Sequence, residues 1–383
     1  MIKNLYIHIG YPKAASSSIQ KSLGQSTVLL QENGYLFPVF KVFGKMHLNH
    51  SIFFRNLFSD AQQHPIKNIR NHITTEEKQI QLINEFKKQL QDQLKNFEGE
   101  NLIFSGEGII HLKADGVKHI KEFFIDLLGP HCKFYLLLVT RNPVSRIQSN
   151  IQQNVREGGT LSFERIYKRN KLFHRTLTVF LEYFSVNDFK IISFEEAVSF
   201  PGGPAAKLLS EIGLPSEVID KIPNVHANEK LTYEAMLILS AINEKIPFQL
   251  NGKLNPEREN IRLNDFHKIP GTKFQLTYEQ QKNIWQNSLH DIKWISEKFN
   301  RQEYKFDETH SNETEIFAQW NSVSLKAISL LLRKQNKIVK NIILKCVFTN
   351  LQLNIRKYST KRIFGILFFL AKEKLKILNS NKQ

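Results

Sequence analysis

The stretch "KFYLLLVTRNP", residues 133 to 143, carries an almost unbroken apolar run of seven residues from Lys133 to Val139, reaches an arginine at 141 and turns at Pro143. So short an apolar run without polar alternation is what a parallel strand covered on both faces requires. Pro143 suits the first turn of a following helix, where its missing N–H costs nothing, and that helix continues to about Arg156 before Gly158 and Gly159. The same alternation of strand and helix recurs in both directions. Upstream, "LYIHI" (5 to 9) reads as a buried strand, Gly10-Tyr11-Pro12 breaks it, and a helix follows from about Ser17 to Leu30. Residues 76 to 97 place Ile80, Ile83, Phe86, Leu90, Leu94 and Phe97 at helical spacing. The short strand of "NLIFSGEG" (101 to 108) comes next, then a helix over Val117 to Leu128. Downstream, a helix over 163 to 184 precedes the strand "FKIIS" (189 to 193), and a helix after "PGGP" closes at Gly213.

Strands alternating with helices predict an α/β fold, a doubly wound, mostly parallel sheet flanked by helices. Ligands of such sheets gather at the carboxyl ends of the strands. Three loops leave those ends: 10 to 18, 105 to 108 and 140 to 149.

With 383 residues, 41% of them hydrophobic, the chain can bury a sizeable core. Cys132 and Cys346 stand far apart without His or Cys at metal-ligand spacing, so neither a disulfide framework nor a zinc site is indicated, and a reducing compartment fits. No basic segment followed by a long apolar one opens the sequence, which leads us to expect a cytoplasmic protein. The formal net charge of +17 is unevenly spread. Residues 321 to 383 hold 14 Lys and Arg against Glu373 alone, which leaves 39 basic and 35 acidic residues over 1 to 320. We therefore expect a main domain over 1–305, a polar linker over 306–320 that includes "FDETHSNETE", and a basic amphipathic helical tail over 321–383.

In the first loop, backbone N–H groups at a helix start favour an anion; Lys13 adds a charge, and Ser16, Ser17 and Ser18 add hydroxyls. It lacks the Gly-Lys-Ser/Thr of a Walker A motif, and a serine-capped helix after an ordinary turn is the plainer reading. In "RNPVSRIQSN" Arg141 ends a buried strand and Ser149 lies on the next helix, so a guanidinium and a hydroxyl can meet a second anion at the same sheet edge.

Pro12-Lys13-Ala14-Ala15-Ser16-Ser17-Ser18 and Arg141-Asn142-Pro143 with Ser149 together resemble the signature of the sulfotransferase family. That family uses 3′-phosphoadenosine 5′-phosphosulfate (PAPS). Its first loop, P-K-x-G-[ST]-[ST]-[ST], takes the 5′-phosphosulfate, and its R-N-P with a serine eight residues after the arginine takes the 3′-phosphate. "FKIISFEEAVSFPGGPAAKLLSEIGLP" and "HANEKLTYEAMLILSAIN" (226 to 243) are similar to later segments of bacterial members, so the resemblance covers about residues 4 to 300. It implies a P-loop-NTPase-like fold and metal-free sulfuryl transfer from PAPS to a hydroxyl or amine. The implied acceptor is a carbohydrate, such as a surface or capsular polysaccharide precursor or a glycolipid. Ala15 departs from the pattern, standing where the family usually has glycine.

Such transfer needs a base for the acceptor proton and a cation near the departing phosphate. Lys13 is the candidate cation. Glu107 in "FSGEGI" is the candidate base, the plainer reading being a helix-cap acid or an exposed loop charge. His47 and His50 in "KMHLNH" compete: three apart, they would share a helix face and bind acceptor, with His50 the alternative base. A third metal ligand beside them is not evident.

In the tail, Leu325, Ile328, Leu332, Val339, Ile342 and Cys346 read as one amphipathic basic helix, and "KRIFGILFFLAKEKLK" is too short for the about 20 apolar residues that span a bilayer. Peripheral attachment to an anionic membrane surface and a helical appendage packed on the domain are the two readings. Nucleic-acid binding ranks lower, since no stacking platform or zinc motif accompanies the charge. For the chain as a whole, a nucleotide or small-molecule kinase of related α/β fold competes with sulfuryl transfer, and so does a non-catalytic phosphate-binding, membrane-associated protein.

Overall fold

The computed structural model describes residues 1–42, 44–59, 75–162, 173–225, 230–250, 253–301, 304–308 and 317–379. Its main elements in the first half of the chain are β1 (Asn4–His8), α1 (Ser16–Gln25), α2 (Thr27–Glu32), β2 (Tyr35–Leu36), β3 (Phe40–Val42), β4 (Lys45–His47), α3 (Ser51–Phe58), α4 (Glu76–Lys95), β5 (Asn101–Ser105), α5 (Ala114–Leu128), β6 (Lys133–Thr140) and α6 (Pro143–Arg156). They continue with α7 (Phe173–Leu181), β7 (Phe189–Ser193), α8 (Phe194–Ser199), α9 (Gly203–Glu211), α10 (Tyr233–Lys245), α11 (Tyr278–Lys298), α12 (Ser322–Arg333), α13 (Lys337–Leu353) and α14 (Thr360–Asn379). These elements group into two compact units. The first is Met1–Arg146, Lys171–Ala227 and Ser288–Lys305; the second is Ile147–Asn170, Asn228–Asn287 and Phe306–Gln383.

In the first unit the five strands lie in the order β2-β5-β1-β6-β7, every pair parallel. From β1 the chain travels to the β2 edge, returns to β5, then passes over β1 to β6 and on to β7. With right-handed crossovers the two directions of travel put helices on opposite faces, which is the doubly wound sheet expected from the sequence. Consecutive residues of the central strands are accordingly buried, Leu5 to His8 on β1 and Leu102 to Ser105 on β5. Phenylalanines fill the space on the α3 and α4 side, where the Phe53 ring stacks on Phe104 and meets Phe86 edge-on.

Several expectations change in the structure. The helix over 17 to 30 is two helices: the backbone leaves helical geometry at Ser26 (φ −110°, ψ 13°), whose hydroxyl donates to the Ser22 carbonyl at 2.9 Å. His47 and His50 share no helix face: His47 ends β4, paired with β3, and His50 is the N-cap of α3. Parts of three expected segments, 163–172, 226–229 and 309–316, lie outside the described residues.

In the second unit the tail is neither one helix nor an appendage. The run from 325 to 346 breaks after Arg333, and Asn336 restarts it by accepting from the Val339 amide at 2.9 Å. The boundary at 321 does not divide units. Ala318 and Trp320 are fully buried. Trp320 Nε1 donates to Asn350 Oδ1 at 3.0 Å, Arg362 Nε donates to the Trp320 carbonyl at 2.7 Å, and Tyr358 OH donates to the Ala318 carbonyl. The fully buried carboxylate of Glu234 on α10 accepts from the amides of Thr272 (2.7 Å) and Gln319 (2.6 Å), and α10 packs on α13. These charge-assisted hydrogen bonds offset part of the cost of burying the carboxylate and join the segments.

Candidate active site

The carboxyl ends of β5, β1 and β6 lie side by side, so the loops leaving them are neighbours around the place where the direction of winding reverses. Gly10 marks the contact of the first two loops. A Cβ there would lie 2.7 Å from Glu107 Cα and 2.9 Å from Ser16 Oγ, so only glycine lets these backbones meet. The third loop joins through Arg141, whose Nη1 donates to the Lys13 carbonyl at 2.6 Å.

The first loop is shaped by Lys13 and Ala15, which hold left-handed φ values of 66° and 63°. Two such residues curl the chain so that amides face inward, the form of an anion-binding concavity. Ala15 is the N-cap of α1 and Ser16, Ser17 and Ser18 fill its first turn, which holds no acidic residue and no side-chain cap. Among the described residues no acceptor faces the amides of Ala15, Ser16 and Ser17. The buried Ser16 hydroxyl also has no partner among them. A helix start with unpaired amides and an unpaired buried hydroxyl is a donor set that an anion completes. Pro12 and Lys13 are half-buried, while Ala14 is buried in the core.

Arg141 is held by contacts on several sides. Its Nε donates to Ser145 Oγ at 3.0 Å, and its guanidinium sits 4.1 Å from the centre of the Phe194 ring. Nη2 has no hydrogen-bond partner among the described residues. Burial pulls the guanidinium below its ordinary pKa while the nearby Glu195 carboxylate opposes the shift, and an arginine stays charged through such a change. The rest of the motif builds the turn: Asn142 Oδ1 accepts from the Val144 amide at 2.9 Å, capping α6 ahead of Pro143. Ser149 is half-buried on the part of α6 that belongs to the second unit.

Glu107 is half-buried and its backbone packs on Gly10. The adjacent Gly108 amide donates to Ser51 Oγ at 2.7 Å, which fixes this loop to the start of α3. His50 lies beneath, fully buried. Its Nε2 donates to the Pro38 carbonyl at 2.7 Å and its Nδ1 accepts from the Ser105 amide at 2.9 Å. Burial lowers its pKa to about 4, and protonating Nδ1 would break the bond to Ser105. With both nitrogens taken by backbone, His50 braces the loop, in place of the alternative base expected from sequence. His47 is half-buried on its hairpin, its pKa lowered by burial first, with the Val42 backbone opposing. Among the described residues no three His, Cys, Asp or Glu side chains gather as metal ligands do.

Two features go beyond what the sequence singles out. Arg146 is buried, its guanidinium 4.8 Å from the Tyr11 ring centre and 5.7 Å from that of Phe173, and it donates to Tyr11 OH. Asp291, which faces it electrostatically, accepts from the amides of Phe173 (2.6 Å) and His174 (2.7 Å) at the start of α7. The second feature is the buried contact of His8 Nδ1 with Ser105 Oγ at 2.8 Å under the loops, which leaves His8 Nε2 unpaired among the described residues. The one signal in the sequence is that Arg146 and Ile147 follow Pro143 at the spacing of an inward helix face.

No family model and no curated protein matches this chain. Among solved structures it is similar to a sulfotransferase from Alicyclobacillus acidocaldarius, at 14% sequence identity and a TM-score of 0.43, over 79% of this chain and 98% of that one.

Proposed function

We propose that the chain is a sulfotransferase that takes its sulfuryl group from PAPS and gives it to a hydroxyl or amine of a carbohydrate acceptor. The observation that carries this reading is the unpaired donor set at the start of α1, with Arg141 beside it. That set suits a phosphate, and a second cation on the neighbouring strand end suits a nucleotide bearing two separate phosphates. The amides of Ala15 to Ser17 and the Ser16 hydroxyl would hold the 5′ group; Arg141 would hold the 3′-phosphate. The residues present therefore fit the donor. PAPS, when bound, supplies an activated sulfuryl group and a stable bisphosphate leaving group.

The chain's own part is to place charge and move one proton. Lys13 is assigned to the oxygen on which negative charge gathers, close to the amides that already favour an anion. Glu107, on the loop packed against Gly10, is assigned the acceptor proton. The proposal predicts that Glu107→Gln lowers transfer of labelled sulfuryl to a panel of glycan and glycolipid acceptors by about 100-fold or more while affinity for adenosine 3′,5′-bisphosphate is kept. Lys13→Ala should lower the rate without unfolding the protein. Unchanged transfer by Glu107→Gln would remove the carboxylate from the role of base.

A further inference from the structure

The outer face of α14 carries an apolar stripe that nothing among the described residues covers. Phe364 and Phe368 are 68% and 73% exposed, and Ala371, Leu375 and Leu378 continue the line at steps of three and four residues, with Leu367 beside it. At 100° per residue these positions share one side of the helix. The opposite side is the packed one, where Ile366, Glu373 and Ile377 are buried. Exposed lysines flank the stripe, Lys361 and Lys372 along one edge and Lys374 along the other.

The charges decide what the stripe meets. Residues 321 to 383 contain one acidic side chain, Glu373, and it is turned inward, accepting from Lys376 Nζ at 2.6 Å and Ser329 Oγ at 3.1 Å. The outer face of α14 therefore presents large apolar side chains with lysines on both edges, and with no negative charge among them. An aromatic-rich apolar stripe bordered by lysines matches the boundary between lipid headgroups and acyl chains. Among the described residues no helix is long and apolar enough to cross a membrane, so the matching position for α14 is in the plane of the surface. We propose that α14 docks the protein on an anionic bilayer, with Phe364, Phe368, Leu375 and Leu378 entering the interface and Lys361, Lys372 and Lys374 meeting the headgroups. The proposal stands apart from the sulfotransfer reading, and its test does not involve that chemistry.

Flotation of the full chain is measured with vesicles of phosphatidylcholine alone and of phosphatidylcholine mixed with phosphatidylserine, at low and high salt. The chain should float with the mixed vesicles, much less with phosphatidylcholine alone, and less at high salt. A triple variant, Phe364→Gln, Phe368→Gln and Leu375→Gln, should stay at the bottom of the gradient. Lys372→Gln with Lys374→Gln should weaken binding by about 30-fold. All five side chains are exposed, so thermal unfolding should be unchanged, and the lysine pair provides a second reading that does not touch the apolar stripe. Absence of flotation with both compositions overturns the proposal, whether the stripe instead pairs two copies of the chain or binds an oligonucleotide. Equal flotation on neutral and charged vesicles, or a triple variant that floats like the parent, overturns it as well.

Discussion

Ala15 occupies a conformation that costs an L-residue about 1–2 kcal/mol, and it does so at the point where the chain enters α1. The curl of this loop is thus built on backbone strain, held by the helix on one side and by the bond from Arg141 to the Lys13 carbonyl on the other. Glycine removes that strain, so Ala15→Gly should raise stability by about 1 kcal/mol in urea unfolding, while Ala14→Gly, one residue earlier in the core, should lower it. A destabilised Ala15→Gly would mean that the left-handed turn is not what the loop adopts. Burial makes His50 a second residue with a measurable signature. Its folded pKa of about 4 lies below the unfolded value near 6.5, so the unfolded chain binds the proton more readily. The stability it contributes is complete above pH 6.5 and is lost as the pH falls towards 4, by roughly 3 kcal/mol over that window. His8, lowered to about 4 by burial alone, adds a loss of the same sign. His50→Gln should therefore be less stable at pH 7 yet show a shallower decline between pH 6.5 and 4. An unchanged slope would mean that the buried network does not hold His50 neutral.

At the scale of elements, the site exists because three strand ends are adjacent and their loops touch. Gly10→Ala would drive a methyl group into the Glu107 backbone, and it should cost about 1–3 kcal/mol and weaken anion binding even though it removes no charged group. Normal stability and binding in that variant would show that the two loops need not meet so closely. The strands and these loops are legible in the sequence because apolar runs ended by glycine, proline or arginine are local signals. The breaks at Ser26 and after Arg333 are not. Each is a change of backbone conformation over one to three residues, at Ser26 and at Lys334 to Asn336, which leaves the apolar period almost unchanged. The place of His50 is hidden for a related reason: it depends on β5 and on the Pro38 carbonyl, partners 55 and 12 residues away. The buried Arg146 escapes a reading of the sequence because an arginine on a helix ordinarily belongs to its solvated face, and its inward position rests on partners distant in the chain, the Tyr11 and Phe173 rings, the Tyr11 hydroxyl and the Asp291 carboxylate.

Across the whole molecule, the chain separates two kinds of surface. Among the described residues, the first unit gathers unpaired donors at one sheet edge, and the second builds a helical body whose last helix carries an uncovered apolar stripe between lysines. The uneven charge visible in the sequence reflects this division, and the tail that carries it is an integral part of the second unit rather than an extension of the first. The central claim concerns the sheet edge: that its loops hold a nucleotide with separate 5′ and 3′ phosphates. Calorimetric titration of the full chain with adenosine 3′,5′-bisphosphate, beside ATP with magnesium, tests it most directly. Saturable binding of the bisphosphate at one site, weaker binding of ATP, and a loss of about tenfold or more in Arg141→Ala is the predicted result. Binding of ATP alone, or bisphosphate affinity that Arg141→Ala leaves unchanged, would contradict it.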